Sequence, residues 1–137
     1  MSWLLGADVV SEPARKAGHR RVLSWLEENR EDCYVSTMVI AQVAYWTRGV
    51  ETRQRAALET WWTRFLDSLE GRILSFNGGT ALIWAEQKQL LTQNGHSMPL
   101  EDSYIAAIAR QNGLTIVTGQ IKNFRHCGVQ VLDPFQA

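Results

Sequence analysis

Apolar positions along the chain recur in short runs and in helical spacing, and the two alternate. Trp3-Leu-Leu-Gly-Ala-Asp-Val-Val10 is a compact apolar run closed by Ser11-Glu12-Pro13. It predicts a strand and then a helix, because proline at a first helical position after a capping residue opens helices well. That helix turns Val22, Leu23, Trp25 and Leu26 inward and leaves Arg20, Arg21, Glu27, Glu28 and Arg30 mainly in solvent. Cys33-Tyr-Val-Ser36 reads as a second strand, with Ser36 or Thr37 able to cap a helix that holds Met38, Val39, Ile40, Ala41, Val43 and Ala44. From Glu51 to Leu69, Leu58, Trp61, Trp62, Phe65 and Leu69 fall at helical spacing among Arg53, Arg55, Arg64 and Asp67, the pattern of a long amphipathic helix.

Gly71-Arg-Ile-Leu-Ser-Phe76 predicts a third strand, and Asn77-Gly-Gly-Thr80 leads into a helix with Leu82, Ile83, Trp84, Leu90 and Leu91 that stops at Asn94-Gly95. The next helix opens near Asp102, after Pro99, and presents Ile105, Ala106, Ile108 and Ala109 as a broad inward face before Asn112-Gly113. Leu114-Thr-Ile-Val117 is a β-branched strand, Thr118 to Phe124 a turn, and Val129-Gln-Val-Leu132 the last strand. Strands separated by helices predict an α/β fold, a parallel sheet with helices on both faces. Sites in such sheets form beyond the carboxyl ends of the strands. Gly6 to Asp8, Ser36 to Gln42, Asp102, and Thr118 to Asn123 qualify by position.

Composition narrows the picture only a little. At 137 residues with 45% apolar positions, residues 1–137 are read as one domain with a real core. Fourteen basic and fourteen acidic residues cancel, so no overall positive field announces nucleic acid and no charged tail announces a membrane. Cys33 and Cys127 lie far apart without metal-ligand spacing and read as reduced thiols. No apolar stretch approaches a membrane span, and the amino terminus has no basic leader, so the expectation is a soluble, cytoplasmic protein with no membrane partner.

Candidate chemistry centres on Asp102. An acid in the first turn of a helix is favoured by the helix dipole, and capping alone accounts for it. The sharper alternative is a metal-binding or general-base carboxylate, which needs acidic partners from elsewhere in the chain. His19, beside two arginines, and His96, in a loop, read as surface or structural residues. Walker, nucleophile-elbow, zinc-protease and dinucleotide-binding motifs are absent from the sequence.

The same stretches resemble, over essentially the whole length, the PIN domain ribonucleases and, among them, the VapC and FitB group of toxin–antitoxin proteins. Trp3 to Glu12 resembles the family opening LLDTNVVSE, and Gly71-Arg-Ile-Leu74 stands where the family often has GRIL. Asp102-Ser-Tyr-Ile-Ala-Ala107 is similar to its DxxIAA helix, Ile116 to Phe124 to VTRNVRDF, and Val131-Leu-Asp-Pro-Phe135 to the closing VLNPW. The resemblance implies a three-layer α/β/α PIN-like domain with a central parallel β-sheet, in which clustered acids hold Mg²⁺ or Mn²⁺ and activate water to cut RNA. It also implies a homodimer and a small antitoxin-like partner. Trp46, Trp61 and Trp62 are candidates for the apolar dimer surface, with core burial the favoured account of each.

The match departs from the family at the chemistry. Gly6 stands where the opening aspartate is expected, Gln42 where the glutamate of the second-strand helix is expected, Gln120 where the family has Asn or Asp, and Asn123 where a further aspartate is frequent. Asp102 is the main acid retained, and Asp8, at the Asn of the family's DTN, is read as lying on the same strand face as Gly6. Glu101 is read as pointing away. Neutral amides cannot offset a divalent charge or deprotonate water, so metal affinity should fall steeply. Gln42, Gln120 and Asn123 are expected to hydrogen-bond one another instead. Three readings follow: a toxin–antitoxin PIN protein whose nuclease activity is weak or lost, an active Mg²⁺- or Mn²⁺-dependent ribonuclease using Asp8 and Asp102, and a non-catalytic antitoxin-binding or dimeric module. RNA is a partner only in the second.

Overall fold

The computed structural model describes residues 1–136. Five short strands, β1 (Trp3–Leu5), β2 (Cys33–Ser36), β3 (Ile73–Leu74), β4 (Thr115–Val117) and β5 (Val131–Leu132), form one sheet in the order β3-β2-β1-β4-β5. All pairings are parallel, with Leu4 opposite Tyr34 on one side and Ile116 on the other. Six helices cover it: α1 (Ala7–Val10), α2 (Arg20–Asn29), α3 (Thr37–Arg48), α4 (Thr52–Ser68), α5 (Gly78–Gln93) and α6 (Leu100–Asn112). This is the three-layer α/β/α architecture expected from the alternating pattern.

The core sits where the two central strands are covered on both faces. Leu4, Leu5, Ile116 and Val117 are wholly buried, as parallel strands under helices must be. Helix α6 buries Ile105 through Ala109 without a break, because three alanines let its backbone approach its neighbours closely. Its end is set by Gly113 at φ 64°, a left-handed cap that favours glycine. Ser36 ends β2 and caps α3, its hydroxyl accepting from the Val39 amide at 3.2 Å. Asn77 and Thr80 form a reciprocal capping box at the start of α5.

Several expectations shift. The strand read over Trp3 to Val10 stops at Leu5, and Gly6 turns the chain into α1 by accepting at its carbonyl from Val9 and Val10. Val9 and Val10 reach the core just as well from a helical turn, and an apolar run of this length does not distinguish the two. Asp8 therefore does not share a strand face with Gly6. Pro13 opens only a short 3-10 turn, Glu12–Ala14, and α2 begins at Arg20. The strand read over Gly71 to Phe76 shrinks to Ile73–Leu74, and α6 starts two residues earlier than Asp102, at Leu100. Leu23 is partly exposed, and in α5 Leu82 is 76% exposed while Leu91 is buried.

The tryptophans divide. Trp62 is buried, Trp61 half-buried, and both lie against Phe65 with ring centroids 5.6 to 6.0 Å away. Core burial does not hold for Trp46, which is 40% exposed beside Tyr45 at 81%. Ile108 has no such freedom. Ile108→Ala is expected to cost about 2–5 kcal/mol, since the surrounding helix and sheet cannot collapse onto the gap; urea unfolding should show a lower midpoint with an unchanged slope.

Candidate functional site

The parallel sheet sends the chain out of β1 and β4 side by side, and this adjacency builds the site. Leu5 pairs with Val117, so Gly6 and Thr118 leave the two strands together, and the Gly6 amide donates to the Val117 carbonyl at 2.9 Å. The α1 turn then carries Asp8 back toward β4. Its carboxylate accepts from the Val9 amide at 3.0 Å, from the Thr118 hydroxyl at 3.0 Å to either oxygen, and from the Gly119 amide at 2.9 Å. Thr118 is buried, and its hydroxyl oxygen in turn accepts from the Gln120 amide at 3.0 Å. The loop after β4 is thus folded around one aspartate.

Asp102 occupies the third position of α6, half-buried at the same strand ends. Burial pushes its carboxyl above the usual aspartate range; the Asn123 amide beside it pulls the other way, and the negative charges of Glu101 and Asp8 push it further up. The charge of Asp8 is therefore felt at Asp102. Glu101 turns toward α3, where its carboxylate accepts from the Gln42 side-chain amide at 3.0 Å, across the contact between α3 and α6. The expected mutual bonding of Gln42, Gln120 and Asn123 does not occur, because Gln42 engages Glu101, Asn123 lies beside Asp102, and Gln120 is exposed.

Thr118 and Gly119, placed at the strand ends by sequence without a role of their own, supply the donors that hold Asp8. A Cβ at Gly119 would lie 3.0 Å from the Phe135 ring, so a side chain there would have to displace that ring by a few tenths of an ångström. His96 stands apart from the acids, stacked flat on His126 with ring centroids 3.7 Å apart.

The donor set was tested against a divalent ion. Hard cations take oxygen ligands, and a water-activating centre relies on several anionic ones. Here both Asp8 oxygens already receive hydrogen-bond donors, and Gly6 and Gln42 contribute no negative charge. Among the described residues no group of three His, Cys, Asp or Glu side chains converges on a point that could hold a metal. These residues do not fit a divalent centre.

With fold and site described, the comparisons with known proteins decide the family. The PIN domain pattern matches residues 9–126. The chain belongs to the PIN domain family. It is 32% identical to Toxin FitB of Neisseria gonorrhoeae, over 96% of this chain and 97% of that protein. It is 31% identical to Plasmid stability protein StbB of Pseudomonas syringae pv. tomato, over 98% of this chain and 99% of that protein. The crystal structure of FitAcB from Neisseria gonorrhoeae superposes with a TM-score of 0.93 at 30% identity, covering 98% of this chain and 99% of that one.

The raised Asp102 carboxyl carries a pH signature. The folded state holds that proton more tightly than the unfolded chain, so stability falls as pH rises from the ordinary aspartate range through the raised value, and a penalty remains above it. Asp102→Asn should accordingly raise Tm at neutral pH, with the gain shrinking toward pH 4. Thermal melts of both proteins across that range check this.

Proposed function

We propose that this chain is the PIN component of a toxin–antitoxin module, acting in the cytoplasm as a homodimer in complex with a small antitoxin-like protein, with metal-dependent ribonuclease activity that is weak or lost. The observation that carries the second half is the engagement of the Asp8 carboxylate by three hydrogen-bond donors beside a glycine at position 6. A PIN nuclease would use Mg²⁺ or Mn²⁺ to generate hydroxide and stabilise the departing oxyanion. In this chain Asp8 is occupied with Thr118 and Gly119, Gln42 supplies no charge, and Asp102 is left as the acid able to take a proton from water. A lone half-buried carboxylate orients water without the charge needed to lower its pKa.

Support for the partner comes from the relatives, a toxin and a plasmid stability protein, and from the surface of this chain. Between α2 and α4 lies a groove of about 470 Å³ with Leu23, Leu26, Trp61 and Phe65 on its apolar wall, and with Arg64, Arg72 and an Arg30–Glu27 ion pair among its polar lining. Its shape and lining suit an amphipathic segment carrying acidic residues, with apolar contact supplying affinity and the arginines orientation. For the dimer, exposed Tyr45, Trp46 and Leu100 supply apolar surface of the kind that self-association covers.

Partner-free protein incubated with RNA in Mg²⁺ or Mn²⁺ should cleave no faster than its Asp102→Asn variant. Metal-dependent cleavage abolished by that substitution would establish instead the active ribonuclease that uses Asp8 and Asp102. Separately, co-expression with the neighbouring small reading frame should yield a complex that Leu23→Asp weakens by about tenfold or more, because the substitution sets an unpaired charge against an apolar contact.

A further inference from the structure

Nothing in the backbone at position 6 demands a glycine. Its φ of −77° and ψ of 162° are extended values open to any residue. What the glycine provides is volume. A Cβ there would lie 2.8 Å from Asp8 Oδ1, 3.1 Å from Thr118 Cβ and 3.3 Å from Thr118 Oγ1. The Asp8 oxygen is the far end of a side chain, so it could swing aside, but only by releasing the donors of Val9, Thr118 and Gly119.

We propose that Asp8 is a built-in anion that occupies the space of the absent side chain at position 6 and organises the Thr118–Gln120 loop, so that the strand ends keep their shape without a divalent cation. Residues 6 and 8 are then a matched pair: a side chain at 6 and the bonded carboxylate at 8 exclude each other. The chemistry agrees, because two amide N–H groups and a hydroxyl converge on this point, and a carboxylate accepts from all of them without needing a cation to balance it. Gln42 and Glu101 repeat the arrangement, an amide donating to an acid where two acids would repel. This inference deepens the reading that metal chemistry is weak and rests on it, but it concerns the structural work of Asp8 rather than cleavage.

The test is a thermal double-mutant cycle on the full chain with Gly6→Ala, Asp8→Ala and both together, each melted in EDTA and in millimolar Mn²⁺. Asp8→Ala should lower Tm by about 5 °C or more, since it removes the acceptor of two amides and a hydroxyl at the strand ends. Gly6→Ala should lower Tm beside Asp8 and cost clearly less once Asp8 is gone, where the 2.8 Å contact is removed and the tight approach to Thr118 remains. Wild-type Tm should be the same in EDTA and in Mn²⁺. An equal cost of Gly6→Ala in both backgrounds would overturn the pairing. A Mn²⁺-dependent rise in wild-type Tm that Asp8→Ala abolishes would overturn it too, since Asp8 would then be a cation ligand. The outcomes separate from those of the cleavage assay: metal-dependent cleavage with additive substitutions sinks both readings, whereas no cleavage with additive substitutions sinks this one alone.

Discussion

Three hydrogen-bond donors converge on the Asp8 carboxylate, and the form of the site depends on that convergence. It ties the first helical turn after β1 to the loop after β4, two segments that are more than a hundred residues apart and meet only because their strands are parallel neighbours. A charged acceptor among backbone donors is worth more than a neutral one, and at half-buried strand ends water competes with it less. Asp102, Asn123, Gln42 and Glu101 are then arranged around a centre whose negative charge is already in use.

The contrast with divalent-ion chemistry follows from what each carboxylate is free to do. A cation and a set of N–H and O–H donors compete for the same lone pairs, so an aspartate that folds a loop is poorly placed to ligate a metal as well. Asp102 has free capacity, but burial and the neighbouring acids disfavour its ionised form. The stability of the PIN scaffold lies in Leu4, Leu5, Ile116, Val117 and the alanine-rich α6, all remote from the acids in kind if not in distance.

Much of the fold was legible because periodicity reports burial. The alternation of apolar runs with helical stretches led to the parallel three-layer architecture, and Ser36 and Gly113 marked helix ends through capping chemistry that is local by nature. The run from Trp3 to Val10 was misread because a buried strand and a buried helical turn look alike in so short a span. That single misreading moved Asp8 off its expected face. The residues of the site were found by position, whereas their pairing was not: no local pattern announces that Thr118 and Gly119 will bind Asp8, or that Gln42 will reach Glu101, since those contacts depend on how the elements pack.

The Gly119 amide proton reports most directly on the central claim, because it points at the carboxylate that a divalent ion would have to claim. In a nitrogen-15 correlation spectrum of the partner-free protein, its resonance should be shifted downfield by the charged acceptor and should keep its position and width as Mg²⁺ and then paramagnetic Mn²⁺ are added. Broadening of the Gly119 and Thr118 signals at low stoichiometric Mn²⁺, reversed by EDTA, would contradict the account.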